Sequence, residues 1–133
     1  AGIDVYAKDG DVLVASEPGV VSMVRNTFNL GTGILFLTTD SGITLAYGEI
    51  DPGSWNEFGV KTGSRVARGQ RLARVGCMSR YASGDCDSHM LHFETYAGKV
   101  TKNTSWYTSE GPPAGLLNPT AYLLRARITA GVA

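Results

Sequence analysis

The sequence predicts an all-β domain, and three observations support that fold class. Seventeen glycines are spread among short runs that are rich in β-branched residues. Turn-forming residues separate these runs at regular intervals. No segment shows the extended 3.6-residue periodicity of an amphipathic helix. We therefore expect antiparallel sheets with little helix, in a single domain that spans residues 1–133. Because the first residues are patterned like folded strand and turn rather than like a signal peptide, we expect the chain to be either a mature fragment or a domain excised from a longer chain.

Turn signals divide the chain into eight predicted strands. Examples are Lys8-Asp9-Gly10, Glu17-Pro18-Gly19, Asp40-Ser41-Gly42 and Arg68-Gly69-Gln70. The predicted strands are Asp4–Tyr6, Asp11–Ala15, Gly19–Asn26, Ile34–Thr39, Ile43–Tyr47, Arg65–Ala67, Arg71–Gly76 and Met90–Tyr96. The segment Asn118–Arg125 is expected to form one helical turn, because Asn118 can cap it and Pro119 suits its first turn.

One pattern occurs twice, in Asp9–Val21 and in Thr62–Gly76. Each copy has a glycine, a valine shortly after it, and a second glycine before another aliphatic stretch. We interpret each copy as a hairpin whose glycines allow tight turns and close approach of strands. The second copy resembles the hairpin of lipoyl and biotinyl carrier domains. Arg68-Gly69 stands where a carrier would present its lysine, which nearly excludes that function.

Charge and hydropathy exclude two classes of partner. The twelve basic and twelve acidic residues cancel, and no run of like charge is long enough to follow a phosphate backbone. We therefore expect no nucleic-acid partner. The longest apolar runs, such as Ile34–Leu37, are far too short to span a bilayer.

Cys77 and Cys86 are the only cysteines, and they bracket a short polar segment. A disulfide between them is feasible and would indicate an oxidising compartment, and we favour it. Two free thiols in a cytosolic protein are the alternative. A zinc ribbon is excluded because the chain has no CxxC pair.

The whole chain resembles the lysostaphin-type zinc metallopeptidases, which cut peptide crosslinks in bacterial cell walls. The family opens with His-x-Gly-x-Asp, later has Tyr-x-His and Val-x-x-Gly-x-x-Val-x-x-Gly-Gln, and closes with His-x-His-Phe-Glu and an Asn-Pro tail. These patterns are matched, in order, by Gly2 and Asp4; Tyr47-Gly48-Glu49; Val60, Gly63, Val66, Gly69 and Gln70; Met90-Leu91-His92-Phe93-Glu94; and Asn118-Pro119.

The resemblance implies a Zn²⁺ site that includes Asp4 and His92. In the family, zinc is held by the first histidine, by the aspartate four residues later, and by the last histidine of His-x-His. Asp4 and His92 keep these places, and the first histidine would fall immediately before Ala1, where the full protein has either that histidine or a different residue. Three protein ligands with an open fourth position make a catalytic zinc site.

Glu49 and His89 are the catalytic candidates. Two further histidines of the family flank the zinc-bound water, and here Glu49 and Met90 stand in their places. A glutamate beside such a water can act as general base, whereas Met90 cannot accept a proton. In a regular strand His89 points away from His92, but a β-bulge near Ser88 would turn it back toward the site.

Several other residues have two interpretations each. Glu94 shares the face of His92 and would orient a ligand ring, or it is a solvent-facing carboxylate at a strand end. Tyr47, Trp106 and Tyr107 would line a substrate cleft, or they pack against the body of the domain. Asp85 and Asp87 are expected to be solvated turn residues.

Two functions remain open. The first is a zinc-dependent endopeptidase that cleaves crosslinks or stem peptides of peptidoglycan, in the periplasm or after secretion. The second is a catalytically inactive relative that binds peptidoglycan or a protein partner. The family resemblance implies the extracytoplasmic location for both.

Overall fold

The computed structural model describes residues 2–77, 89–104 and 111–129, with side chains up to residue 125. Within these ranges the predicted all-β, antiparallel fold is confirmed. The strands are β1 (Ile3–Tyr6), β2 (Val12–Val14), β3 (Gly19–Arg25), β4 (Gly33–Thr39), β5 (Ile43–Ile50), β6 (Arg65–Val66), β7 (Arg71–Arg74), β8 (Met90–Ala97) and β9 (Leu116–Leu117). Two short 3₁₀ turns, Asn29–Gly31 and Ser54–Phe58, and one helix, α1 (Pro119–Thr129), complete the described elements.

The main sheet has the strand order β1-β8-β5-β4-β3-β6, and β9 also pairs with β8. Strands β2 and β7 form a separate ribbon. Each of the eight predicted strands is present within a few residues of its expected bounds, and β5 continues to Ile50. The two-residue strand β9 was not predicted, because so short a segment has no alternation to detect.

Both faces of the central strands are buried, so β4 reads as a continuous apolar run rather than an alternating one. Leu35 and Leu37 belong to the main core, which the β2–β7 ribbon covers. Ile34 and Phe36 face the other way, into a smaller cluster. Alternation along each strand therefore sorts its side chains between two cores, and the smaller core lies on the face that carries the candidate site.

The two copies of the repeated pattern pair with each other, which differs from the expected hairpin within each copy. Strand β2 of the first copy pairs with β7 of the second, and β3 pairs with β6. Reciprocal backbone hydrogen bonds join Ala15 to the Gly69-Gln70 turn at 2.7 and 2.9 Å. Such pairing buries the apolar face of each copy against the other, which a single two-stranded hairpin cannot do.

The C-terminal helix is longer than the one turn expected from the sequence. Helix α1 has eleven residues and begins after Asn118, whose Oδ1 accepts the N–H groups of Thr120 at 3.0 Å and Ala121 at 3.3 Å. The apolar residues that contact the main core, Tyr122 and Leu123, are adjacent in sequence rather than three or four residues apart. The sequence therefore lacks the periodicity that would predict a helix here. Among the described residues, no helix has the length and hydropathy needed to cross a bilayer.

We expect Asn118→Ala to lower the free energy of unfolding by about 1 kcal/mol, because two N–H groups at the start of α1 lose their acceptor. Asn118→Asp keeps the acceptor oxygen and is the matched control. Urea unfolding of both variants and the parent protein measures the difference. Equal midpoints for the alanine variant and the parent would show that the cap does not stabilise the domain.

Candidate metal centre

Three adjacent strands of the main sheet place the candidate residues side by side. In the antiparallel register, Asp4 of β1 lies opposite His92 of β8, and Gly48 of β5 lies opposite the same histidine. Residues that are directly opposite share a face of the sheet, so Asp4 and His92 project to the same side. Local alternation and strand pairing thus bring together two residues that are far apart in sequence.

Glu49 reaches this face through a β-bulge. Between Gly33 and Ile34 of β4 the pairing partner jumps from Ile50 to Gly48, which leaves Glu49 as the extra residue. Its φ of 60° is in the left-handed region, and its carbonyl accepts the N–H of Gly76 at 3.0 Å. A bulge re-aims the side chain of the extra residue, and here it turns Glu49 toward the side that Gly48 and His92 share.

Asp4, Glu49 and His92 converge closely enough to hold one metal ion. One potential ligand atom of each lies within 4.8 Å of the others. Residue Glu49 is buried, with 7% of its surface exposed. The side chain of Asp4, in contrast, is 49% exposed. The group therefore has an open side at Asp4 and a buried side at Glu49.

The Nε2 atom of His92 is bound by a buried carboxylate. This atom lies 2.7 Å from Oε2 of Glu94, a fully buried carboxylate whose Oε1 accepts a hydrogen bond from the Tyr96 hydroxyl. The N–H of Thr104 donates to that hydroxyl at 3.0 Å. Because a carboxylate only accepts hydrogen bonds, Nε2 of His92 carries a proton and Nδ1 faces Asp4 Oδ1 at 3.3 Å.

The electrostatics of the group favour a cation at its centre. Burial opposes the charged form of the imidazole. The hydrogen bond and charge of Glu94, the hydrogen bond of Asp4 and the charge of Glu49 outweigh burial and raise the pKa of His92. Burial also raises the pKa of Glu49, the negative charge of Asp4 adds to this increase, and His92 opposes it. A proton on Nδ1 and a metal ion would compete for the same lone pair of His92.

Phe28 covers one side of His92, at a distance of 5.6 Å between the ring centroids. This contact requires Gly48, because a Cβ atom there would lie 2.8 Å from Cε2 of Phe28 and 3.3 Å from Cδ2 of His92. An open cleft of about 530 Å³ extends from the histidine past the 27–30 loop to Asn103. The cleft therefore reaches the group through His92 and its partner Glu94.

The other predicted residues lie in different surroundings. His89 is outside the three-residue group, and its Nδ1 lies 2.9 Å from the carbonyl oxygen of Ala7. Met90 lies opposite Tyr6 in the register. Tyr47 is buried in the main core with its ring 5.4 Å from that of Phe93, so it packs rather than lining the cleft.

Some expectations concern residues that the structure does not describe. Asp85, Cys86, Asp87, Trp106 and Tyr107, as well as Ser88, lie outside the described residues. Cys77 is disulfide-bonded, as favoured from the sequence.

Sequence reasoning missed Tyr96, Phe28 and Thr104. Tyr96 carried a detectable signal, since it follows His92 and Glu94 at the two-residue spacing of a strand face. Phe28 and Thr104 reach the site through loops, for which the sequence has no comparable periodicity.

Comparisons with known proteins identify the family and the fold. The model of peptidase family M23 matches residues 1–104. A comparison with curated proteins gives no match. Among solved structures, the catalytic domain of a mutant of EnpA, a prophage-encoded M23 protein from Enterococcus faecalis, is 25% identical with a TM-score of 0.59, and the match covers 91% of this chain and 76% of that one.

Two further structures share the fold. LytU is 25% identical with a TM-score of 0.66, and the match covers 93% of this chain and 72% of that chain. The catalytic domain of the antimicrobial peptidase lysostaphin from Staphylococcus simulans is 20% identical with a TM-score of 0.63, over 92% of this chain and 77% of that one. Since the family model spans well over half of the sequence, the chain belongs to peptidase family M23.

Proposed function

We propose that this domain is a zinc-dependent endopeptidase that cleaves peptide bonds in the crosslinks or stem peptides of bacterial peptidoglycan. Membership of a peptidase family supports peptide hydrolysis. The resemblance to lysostaphin-type enzymes supports the cell-wall substrate and an extracytoplasmic location. The observation that carries the proposal is the convergence of Asp4, Glu49 and His92 within 4.8 Å.

The residues present fit a zinc ion. Zn²⁺ readily binds imidazole nitrogens and carboxylate oxygens. The two neighbouring carboxylates repel each other, and a bound divalent cation would relieve that repulsion. Asp4 and His92 would supply two of the three protein ligands that a catalytic zinc site uses. When bound, zinc supplies a water of lowered pKa and polarises the scissile carbonyl.

Glu49 is the proposed general base. Burial and the charge of Asp4 raise its pKa, which makes its carboxylate a better proton acceptor at neutral pH than an ordinary glutamate. In this role a carboxylate oxygen of Glu49 takes the proton of the attacking water and returns it to the leaving amine nitrogen. The bulge in β5, which leaves Glu49 as the extra residue between Gly48 and Ile50, supports this role because it turns the side chain toward His92.

Glu94 is proposed to orient His92, and we expect Glu94→Gln to weaken zinc binding about 10–100-fold. The glutamine oxygen can accept the hydrogen bond from the Tyr96 hydroxyl, which leaves the glutamine NH₂ group facing Nε2 of His92. This NH₂ group is a donor, so it favours the His92 tautomer that carries its proton on Nδ1, the nitrogen that faces Asp4. Zinc affinity is measured by competition with a chelating dye. Glu57→Gln, which breaks a surface pair with Arg74, is the control. Unchanged affinity in Glu94→Gln would leave Glu94 a purely structural residue.

The proposed function is tested by incubating zinc-loaded protein with purified peptidoglycan and measuring newly released amino groups. We expect release that stops with a chelator and returns when zinc is restored. Met90, in place of a family histidine, favours the inactive relative as the second candidate. Co-sedimentation with peptidoglycan without release of amino groups would replace the enzyme with a binding protein.

His89 remains the second catalytic candidate from the sequence. Its ring lies against the Ala7 carbonyl, so it would have to act from outside the group of ligand atoms. The same digestion assay with His89→Ala tests this role. Loss of a catalytic side chain is expected to lower the rate of amino-group release, and an unchanged rate would exclude a catalytic role for His89.

A further inference from the structure

A second cavity, distinct from the metal centre, lies where α1 packs against the β2–β3 and β4–β5 connections. Its volume is about 450 Å³. Pro18 and Ile43 supply apolar surface. The polar side chains that line it are those of Ser16, Glu17, Ser41, Arg68, Tyr122 and Arg125. A cavity with apolar surface and a few convergent polar groups is the usual form of a small-ligand site.

A hydrogen-bond network holds Glu17 at one wall of the cavity. Oε2 of Glu17 accepts the Tyr122 hydroxyl at 2.5 Å, and Oε1 accepts the Ser41 hydroxyl at 2.8 Å. The single Tyr122 proton is thereby used, so Ser16, whose Oγ lies 2.9 Å from the Tyr122 oxygen, is the donor of that bond. Carboxylate oxygens have further lone pairs, so Glu17 can still accept an N–H from a ligand.

The opposing charge comes from two arginines. Arg68 and Arg125 are both exposed and line the same cavity. Guanidinium groups bind carboxylates through paired N–H donors. A monoanionic carboxylate suits this cavity better than a dianionic phosphate, because the carboxylate of Glu17 would repel the second negative charge.

This cavity is separate from the candidate metal centre. Ile43 begins β5 and Glu49 lies six residues farther along it, a distance of about 20 Å for an extended strand. Helix α1 lies outside residues 1–104, the part of the chain that the family model matches. Tyr122 and Arg125 therefore add a feature beyond the region that defines family membership.

We propose that this cavity binds the C-terminal end of a peptide. The guanidinium groups of Arg68 and Arg125 hold the terminal carboxylate, and Glu17 accepts a peptide N–H. Pro18 and Ile43 contact the small side chain of the last residue. A polymer that carries many such ends would be held here while another of its peptides lies in the cleft near His92, which raises the effective concentration at that cleft.

The test is a calorimetric and NMR titration of the metal-free protein with N-acetyl-alanyl-alanine, its C-terminal amide, and acetate. We expect the dipeptide acid to bind and to shift the amide signals of Ser16, Glu17 and residues 41–43, and the dipeptide amide to bind at least about tenfold more weakly. Acetate that binds as tightly as the dipeptide would overturn the peptide part of the proposal, because the chain would then recognise any small carboxylate.

Matched arginine variants complete the experiment. Arg68→Gln and Arg125→Gln are each expected to weaken binding about tenfold, whereas Arg71→Gln, which removes a guanidinium that lies over Phe58, is expected to leave it unchanged. Equal binding of acid and amide, or equal losses in all three variants, would overturn the proposal. Because the titration contains no zinc, its outcome is independent of whether the domain hydrolyses peptides.

Discussion

Glu49→Gln is expected to lower zinc-dependent peptide hydrolysis about 10²–10⁴-fold, the range that general base catalysis contributes. Glutamine has nearly the same shape as glutamate, so it can occupy the same bulge position in β5. It cannot take a proton from water at neutral pH. We expect the bound zinc to remain, since Asp4 and His92 are the proposed ligands.

Rates of amino-group release and zinc content, measured on the same samples, separate the two roles that Glu49 could have. A low rate with full zinc content supports a general base. Simultaneous loss of zinc would contradict that role and make Glu49 a third ligand instead. Glu57→Gln, at the surface pair with Arg74, is the control for removing one carboxylate.

The metal-free protein offers an independent check on the environment of Glu49. Its pKa in the folded state is raised above the unfolded value, so ionisation of Glu49 opposes folding at neutral pH. That unfavourable contribution disappears as the pH falls below the ordinary range of a glutamate, where the carboxyl is protonated in both states. We therefore expect the Tm of Glu49→Gln to exceed that of the parent protein at pH 7 and the difference to close in acid.

Removal of either proposed ligand is expected to have the largest effect on zinc affinity. We expect Asp4→Ala and His92→Ala each to weaken binding more than about 100-fold, beyond the range seen for residues that only support ligands. Each variant leaves one proposed ligand, and a single side chain holds zinc poorly in water. Chelator competition measures the affinities.

The control for this experiment is Asp40→Ala, which removes an exposed carboxylate paired with Arg65. Its zinc affinity is expected to match that of the parent protein. Equal affinity in all three variants would show that zinc binds elsewhere, and the proposed centre would be wrong. A loss in His92→Ala alone would leave Asp4 as an electrostatic neighbour of the site rather than a ligand.

The fold class and most strand positions followed from the sequence because they depend on local features. Turn-forming glycines separate the strands, and short apolar runs mark where the chain is extended. The capping of α1 by Asn118 is local in the same way, but its length was underestimated because contact with the core, rather than periodicity, stabilises it. The positions of Asp4 and His92 followed from the match to the family pattern.

The arrangement of the site depended on pairing between distant segments. No local pattern marks the bulge that re-aims Glu49, since it arises from the register of β5 against β4. The burial of Glu94 depends on Tyr96, on Thr104 and on the packing of the sheet face. Side chains alternate between the two faces along each strand, so the sequence determines which residues of one strand share a face. Only the tertiary structure decided which of them meet, because hydrogen bonds between strands distant in sequence set the register.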